Sequence, residues 1–441
     1  MLDQSSQWYK LQYPECFVNE EQRMMQKLWA DFADQEIMPV RDKIDDDVTH
    51  EKIITPLMKK ICVDLGFQKA LIPKEYGGLG TGAISTVMAV LRNDQLCRAD
   101  YGIAMASDCI NWALLPAYVA YYKSPEPEAK AWAKAIYDKF APIFVGNKLG
   151  IACFNMSEEQ SATEIENLQN KGKTIQTRAK LVGNEWVING SKMWATNSGI
   201  ADLNCVPCNM DPTSDINNFS VIYVPEPWPG VSHGKFEVKC GVQGDRNTST
   251  FFDDVRVPKE WGIQGPIAWR LFENNLCAAF VMDPGNGLGV LQGALDTLLE
   301  YTGQRIIGGK PIRDYLSSAM IIGKMAAVLT VCRAALLEMA YQYDHPEIYG
   351  KWNTDYMNGK ACSIHTFIWE SATEQIVKGM ELMGSYGYVR ENHYEKYYRD
   401  VAAGKLLLGG TQLGYFNSCR AFYDLDFSVP DPKKSKKSAN P

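Results

Sequence analysis

The hydrophobic period of this chain changes twice along its length, and that double switch constrains the fold more than any single residue. From about Asn19 to Lys139 apolar residues recur at helical spacing. In EQRMMQKLWADFADQEIMPVRD, Met24, Met25, Leu28 and Phe32 follow it, and Pro39 marks a bend or an end. LGFQKALIPKEYGGLG (65–80) interrupts with proline and glycines and reads as a structured loop. From about Leu149 to Gly262 short strands take over. AKLVGNEWVINGSKMWATN has apolar runs on either side of Gly183-Asn184, a hairpin signal, and a second predicted turn at Asn189-Gly190. FSVIYVPE and TSTFFDDVRVP are further β-rich runs closed by proline. From about Pro266 to Asp424 helical spacing returns, including LSSAMIIGKMAAVLTVCRAALLEMAYQYD, long and apolar enough for a buried bundle helix. The predicted fold class is α+β, mostly α. An N-terminal helical domain (1–148) precedes a middle β-barrel domain (149–262), a C-terminal helical bundle (263–428) and a basic disordered tail (429–441).

Composition narrows the function classes. Apolar residues make up 46% and charged residues 22% of the 441 positions, the balance of an ordinary globular chain. No uninterrupted apolar stretch reaches the roughly 18–20 residues that span a bilayer, so no membrane span is expected. The start, MLDQSSQWYKLQYPECFVNEEQ, lacks the pattern of a secretory signal. Twelve cysteines without regular spacing suggest reduced thiols in a cytoplasm. Cys205 and Cys208 form a Cys-x-x-Cys with no second pair at zinc spacing, so buried thiols are favoured over a redox or metal role. His50, His233, His345, His365 and His393 are isolated, and no metal site is expected. A net charge of −7 argues against nucleic acid as the main partner, despite the basic end PDPKKSKKSANP (430–441).

Five segments keep the order and approximate spacing of one family. They are IPKEYGGLG (72–80), INGSKMWATNSGIAD (188–202), FFDDVRVP (251–258), QRIIGGKPI (304–312), and ELMGSYGYVRE with YYRD (381–391, 397–400). On these motifs the chain resembles the acyl-CoA dehydrogenases, flavoproteins that oxidise acyl-CoA thioesters with FAD. The resemblance covers roughly residues 18–425 and implies a β-barrel middle domain followed by a four-helix bundle. It departs at Gly308, where an aromatic residue is usual. A flavin ring needs an aromatic wall and hydroxyl or N–H groups along its polar edge. The resemblance gives these roles to Trp194 and Thr196; for Trp194 an ordinary hairpin core position is the alternative. MSEEQSATEI (156–165) falls on a flavin loop, with Ser157 and Thr163 keeping its hydroxyls while Glu159 and Ala162 replace the usual proline and glycine. Arg305 matches an arginine that reaches the FAD pyrophosphate across a subunit interface, with a surface salt bridge as the alternative. Glu381, Gly384 and Thr411 match further flavin-binding positions. The implied assembly is a homotetramer.

The family's chemistry needs a carboxylate that removes the α proton on the face opposite the flavin. Most members place it in a Tyr-Glu-Gly-Thr motif, but here LGGT puts Leu408 and Gly409 at the first two positions, so this site has no proton acceptor. The alternative site on a preceding helix falls on Ala279, beside Phe280, with Glu273 or Asp283 as repositioned candidates. A third candidate is Asp108 in CRADYGIAMASDCINWALLP (97–116), within an otherwise apolar stretch that resembles the floor of the acyl pocket. Relatives acting on cyclic thioesters carry an aspartate in this region. Burial there would disfavour its charge and suit proton exchange near neutrality. Helix capping, a buried polar partner and substrate binding without proton transfer are the other roles open to Asp108. The leading expectation is an FAD-dependent dehydrogenase of a cyclic or branched acyl-CoA, passing electrons to an electron-transfer flavoprotein or similar acceptor. A non-redox lyase, desulfinase or decarboxylase on the same fold, or a non-catalytic subunit of a hetero-oligomer, are the competing readings.

Overall fold

The computed structural model describes residues 16–80, 85–210, 216–420, 422–423 and 428, so the basic tail and the first fifteen positions lie outside the described residues. Helix α1 (Glu20–Phe32) begins with a capping box: Gln22 N–H donates to the Asn19 side chain and Asn19 N–H to the Gln22 side chain. Its buried stripe continues through a π turn at Ala33–Ile37 as Trp29, Ala33 and Ile37, before the expected bend at Met38–Val40. Met24 and Leu28, which share the helical spacing, are 68% and 40% exposed. Two apolar stripes compete on this helix, and the bulkier Trp29 stripe is the one that packs inward.

Helices α2 (Thr86–Ala99) and α3 (Tyr101–Tyr122) meet at Asp100, whose side chain caps α3 by accepting from Ile103 N–H at 2.9 Å. Helix α4 (Pro127–Val145) follows. The middle domain joins β1 (Ala152–Phe154), β2 (Arg178–Val182), β3 (Glu185–Lys192), β4 (Leu203–Asn209), β5 (Phe219–Pro225), β6 (Val231–His233), β7 (Thr250–Pro258) and β8 (Gly262–Gln264) in one sheet. The strand path is β6-β7-β3-β2-β4-β5-β8, with β1 parallel to β4. Between β1 and β2 lies a one-turn helix, α5 (Thr163–Glu166).

The hairpin at Gly183-Asn184 forms as expected, with Val182 opposite Glu185. Asn189-Gly190 is not a turn: β3 runs straight through it, and a bulge shifts its register against β7 between Ile188 and Gly190. Gly190 has φ 145°, and a Cβ there would meet Thr177 Cα at 2.7 Å, so the glycine serves a close strand approach.

The longer C-terminal helices are α6 (Gly265–Met282), α7 (Pro284–Gln304), α8 (Leu316–Asp344), α9 (Asp355–Met383), α10 (Tyr394–Gly404) and α11 (Gly410–Arg420). Asp283 marks the break between α6 and α7. It accepts from Trp369 Nε1 at 2.7 Å, lies 3.0 Å from His365 Nε2, and accepts from Asn286 Nδ2 at 3.0 Å. The three sequence zones converge on Lys396, whose ammonium contacts Asp45 at 2.9 Å, Asp100 at 3.0 Å and Asp400 at 3.1 Å. Asp400 in turn accepts from Val242 N–H at 2.6 Å, tying in the middle domain.

Two helices are long and apolar overall although neither holds an unbroken apolar run of bilayer length. Tyr101–Tyr122 and Leu316–Asp344 are long and apolar enough, by length and composition, to cross a membrane. The first is 72% buried within its most apolar window, as a central core helix is, whereas the second is only 33% buried there. Lys324, Arg333 and Glu338 interrupt the second, and Asp108 the first.

Candidate active site

The site is built from the end of β3. Lys192 is fully buried there, and its ammonium donates to Glu158 Oε1 at 2.8 Å and to Met156 O at 3.0 Å. Burial opposes the charge of Glu158, but Lys192 and the bonds from Thr177 and Gln176 outweigh it and hold the carboxyl below its usual range. Past this anchor the backbone enters the left-handed region at Trp194 (φ 65°) and Asn197 (φ 68°). Side chains lock it: Asn247 Nδ2 donates to Trp194 O at 2.8 Å, and Asn197 Nδ2 donates to Ala106 O at 2.9 Å. The indole of Trp194 is therefore held outward, 53% exposed, on a backbone that cannot fold it away. It is therefore not a hairpin core position, and it leaves an aromatic face uncovered.

Thr196 stands beside it. Its hydroxyl donates to Asp245 Oδ2 at 3.1 Å, and its carbonyl accepts from Cys109 Sγ of α3 at 3.3 Å. Burial raises Asp245, against the pull of Lys239, Asn247 and Thr196, and its Oδ1 is buried with no hydrogen-bond partner. The loop carrying Ser157 is joined to the same wall, since Met193 N–H donates to Ser157 O at 2.9 Å. Thr163 is exposed at the start of α5. Ser157, Thr163, Trp194 and Thr196 thus all belong to the middle domain.

Arg305, Glu381 and Gly384 gather elsewhere, on an exposed face of the bundle. The Arg305 guanidinium lies 5.3 Å from the Tyr386 ring centroid, next to Gly384, which ends α9 at φ 62°. Glu381 is exposed and paired with Lys378 at 2.8 Å. Thr411 lies in the first turn of α11.

The carboxylates sort clearly. Asp108 is buried, but not alone among apolar groups: it is ion-paired with Arg92 of α2, their side chains 9% and 5% exposed. The expectation of an isolated carboxylate is corrected by this guanidinium. Its neighbour Cys109 faces Thr196 while Asp108 faces α2. Asp283 is engaged by three side chains and serves the α6–α7 junction. Glu273 accepts from Asn353 Nδ2 at 3.0 Å; burial raises it despite that bond. Cys205 and Cys208 are buried thiols on β4, Cys208 pushed up to about 12 by burial. A further carboxylate, Glu166 at the end of α5, escapes sequence reasoning: it meets the Gly409 turn, which no local pattern signals.

The acyl-CoA dehydrogenase N-terminal domain family matches residues 19–135, the middle domain family 153–255 and the C-terminal domain family 281–413. The chain belongs to the acyl-CoA dehydrogenase family. Cyclohexane-1-carbonyl-CoA dehydrogenase of Syntrophus aciditrophicus is 28% identical to it over 379 residues, covering 86% of this chain and 90% of its own. Human mitochondrial short-chain specific acyl-CoA dehydrogenase is 25% identical over 402 residues, 91% of this chain and 90% of its own. The fold superposes on butyryl-CoA dehydrogenase from Megasphaera elsdenii with a TM-score of 0.77 at 21% identity, covering 92% and 98% of the two chains.

This acyl-CoA dehydrogenase is an FAD-dependent oxidoreductase. The residues present fit that cofactor. The outward indole of Trp194 offers an aromatic face, Thr196 a hydroxyl, and the orphaned Oδ1 of Asp245 an unmet polar atom behind it.

Proposed function

We propose that this acyl-CoA dehydrogenase oxidises a cyclic or branched acyl-CoA thioester, forming a C=C bond next to the thioester carbonyl. The observation that carries the reading is the Leu408-Gly409-Gly410 turn, which offers no carboxylate where most members keep theirs. Similarity to a relative named for a ring thioester supports the same substrate class. Bound FAD supplies the hydride acceptor for the β carbon. Trp194 flanks its ring, and Thr196, Ser157, Thr163 and Thr411 supply hydroxyls along its length. Arg305, with Glu381 and Gly384, presents the pyrophosphate contact from a neighbouring subunit, so the active unit is a homo-oligomer, proposed as a tetramer. The exposed apolar residues Met320 and Val331 of α8 and Phe367 of α9 support a face covered by another copy. Twelve unpaired cysteines favour a reducing compartment, the cytoplasm, and an electron-transfer flavoprotein as acceptor completes the cycle.

The test is anaerobic bleaching of the purified yellow protein by a panel of thioesters. Alicyclic or branched acyl-CoA should bleach it faster than straight-chain butyryl-CoA. A preference for straight chains would sink the substrate proposal, and no bleaching by any thioester would sink the dehydrogenation.

A further inference from the structure

We propose that Glu166 is the proton acceptor, a carboxylate delivered by the middle domain to the place where the bundle's own turn has none. The inference rests on the dehydrogenation reading above. A Cβ built on Gly409 would lie 3.1 Å from Glu166 Oε2. The carboxylate of Glu166 therefore reaches the space into which a side chain at position 409 would project, although it comes from another domain.

The environment of Glu166 differs from that of the other buried acids. Asp108 has Arg92, Glu158 has Lys192, Asp94 has Arg333, and Asp283 has three side-chain partners. Glu166 is 6% exposed, and among the described residues its carboxylate has neither an ion-pair nor a hydrogen-bond partner. It is not a cap, because no N–H from the first turn of α11 donates to it. Burying an unpaired carboxylate costs free energy that a purely structural position has no reason to bear. Burial, with the nearby charge of Glu164, pushes its carboxyl up to about 8, a value suited to exchanging a proton near neutrality.

The loop also holds Glu166 firmly. Its base is closed where Thr177 N–H donates to Glu158 Oε1 at 3.0 Å. Ile165, next in the chain, is fully buried, and Asn170 Nδ2 donates to Glu164 O at 2.7 Å. A general base needs this kind of fixed placement.

In the step assigned to it, the α C–H bond breaks and its proton bonds to a Glu166 carboxylate oxygen. The electron pair left behind becomes the second bond between the α and β carbons as a hydride leaves the β carbon for FAD. The substrate loses two electrons and FAD gains them.

The experiment uses the FAD-bound enzyme with whichever thioester bleaches the wild type, comparing E166Q, E166D and D108N. Measured quantities are the bleaching rate, deuterium uptake at the α carbon from heavy water, FAD content, and the pH dependence of Tm in flavin-free protein. E166Q should slow bleaching by about 10²–10⁴-fold and lose deuterium uptake, with FAD content unchanged. E166D should keep a measurable fraction of both, which separates lost chemistry from lost folding. Bleaching and deuterium uptake in E166Q within about twofold of wild type would overturn the proposal. So would a Tm difference between E166Q and wild type that does not change with pH. A wild type that no thioester bleaches fails the dehydrogenation reading instead, while the Tm profile still reports on the environment of Glu166.

Discussion

Arg92 and Asp108 form an ion pair sealed between α2 and α3, with the guanidinium also 4.0 Å from the Phe67 ring centroid. Removing one partner of such a pair leaves the other charge buried, whereas replacing both with apolar groups of similar volume is often neutral. Asp108→Asn is therefore expected to cost about 3–5 kcal/mol in denaturant unfolding, and Asp108→Leu with Arg92→Met to recover most of that loss. Equal midpoints for the single and double variants would show that the pair is not the source of the cost.

The pH dependence of stability isolates Glu166 without any substrate. Its folded carboxyl is raised from an ordinary 4.5 to about 8, so between those values the folded chain holds a proton that the unfolded chain has released. Stability from this group is complete below the lower value and falls as pH rises through the window. Replacement by glutamine removes that loss. The unfolding free energy of Glu166→Gln should match wild type near pH 4 and exceed it increasingly up to pH 8, by a gap on the order of a few kcal/mol, with its Tm rising above wild type in the same direction. Glu164, whose charge pushes in the same direction, shrinks the gap when changed to Gln.

Restoring a carboxylate at position 409 should not create a better enzyme. Gly409 sits at φ 75°, and a Cβ there would lie 2.8 Å from Leu413 Cβ as well as against Glu166. Gly409→Glu should lower Tm through backbone strain of about 1–3 kcal/mol and crowd the acid already present. Bleaching faster than wild type would contradict that crowding.

Trp194→Ala should keep the fold, since the indole lies outward, yet weaken FAD retention about tenfold or more. Flavin fluorescence released on dilution reads this directly. Unchanged retention would mean that the cofactor lies against another surface.

Sequence reasoning reached the features that short segments encode. Gly183-Asn184 specifies its hairpin locally, and the Lys192–Trp194–Thr196 segment stands out as a motif, although Asn247 and the Ala106 carbonyl that lock it are distant in the chain. Asn189-Gly190 misleads because a turn and a bulge ask the same thing of a glycine, and only the partner strand β7 decides between them. Met24 and Leu28 correctly signal a helix, but spacing does not say which way a stripe faces, and the Trp29 stripe is the one that packs inward. Asp108 is readable as a buried acid, but Arg92 belongs to the preceding helix and meets it only after folding. Glu166 is the extreme case. The flavin-loop motif ends at Ile165, one residue short, and the turn it meets stands near the far end of the chain.

Lys396 grips Asp45, Asp100 and Asp400 at once, and Asp400 passes that grip to the Val242 backbone. Such a rivet leaves the three domains little freedom to slide past one another, so sheet and helices meet at a set separation there. For the proposed ring thioester, admission would then depend on the size of the side chains around it rather than on a hinge that opens to receive it.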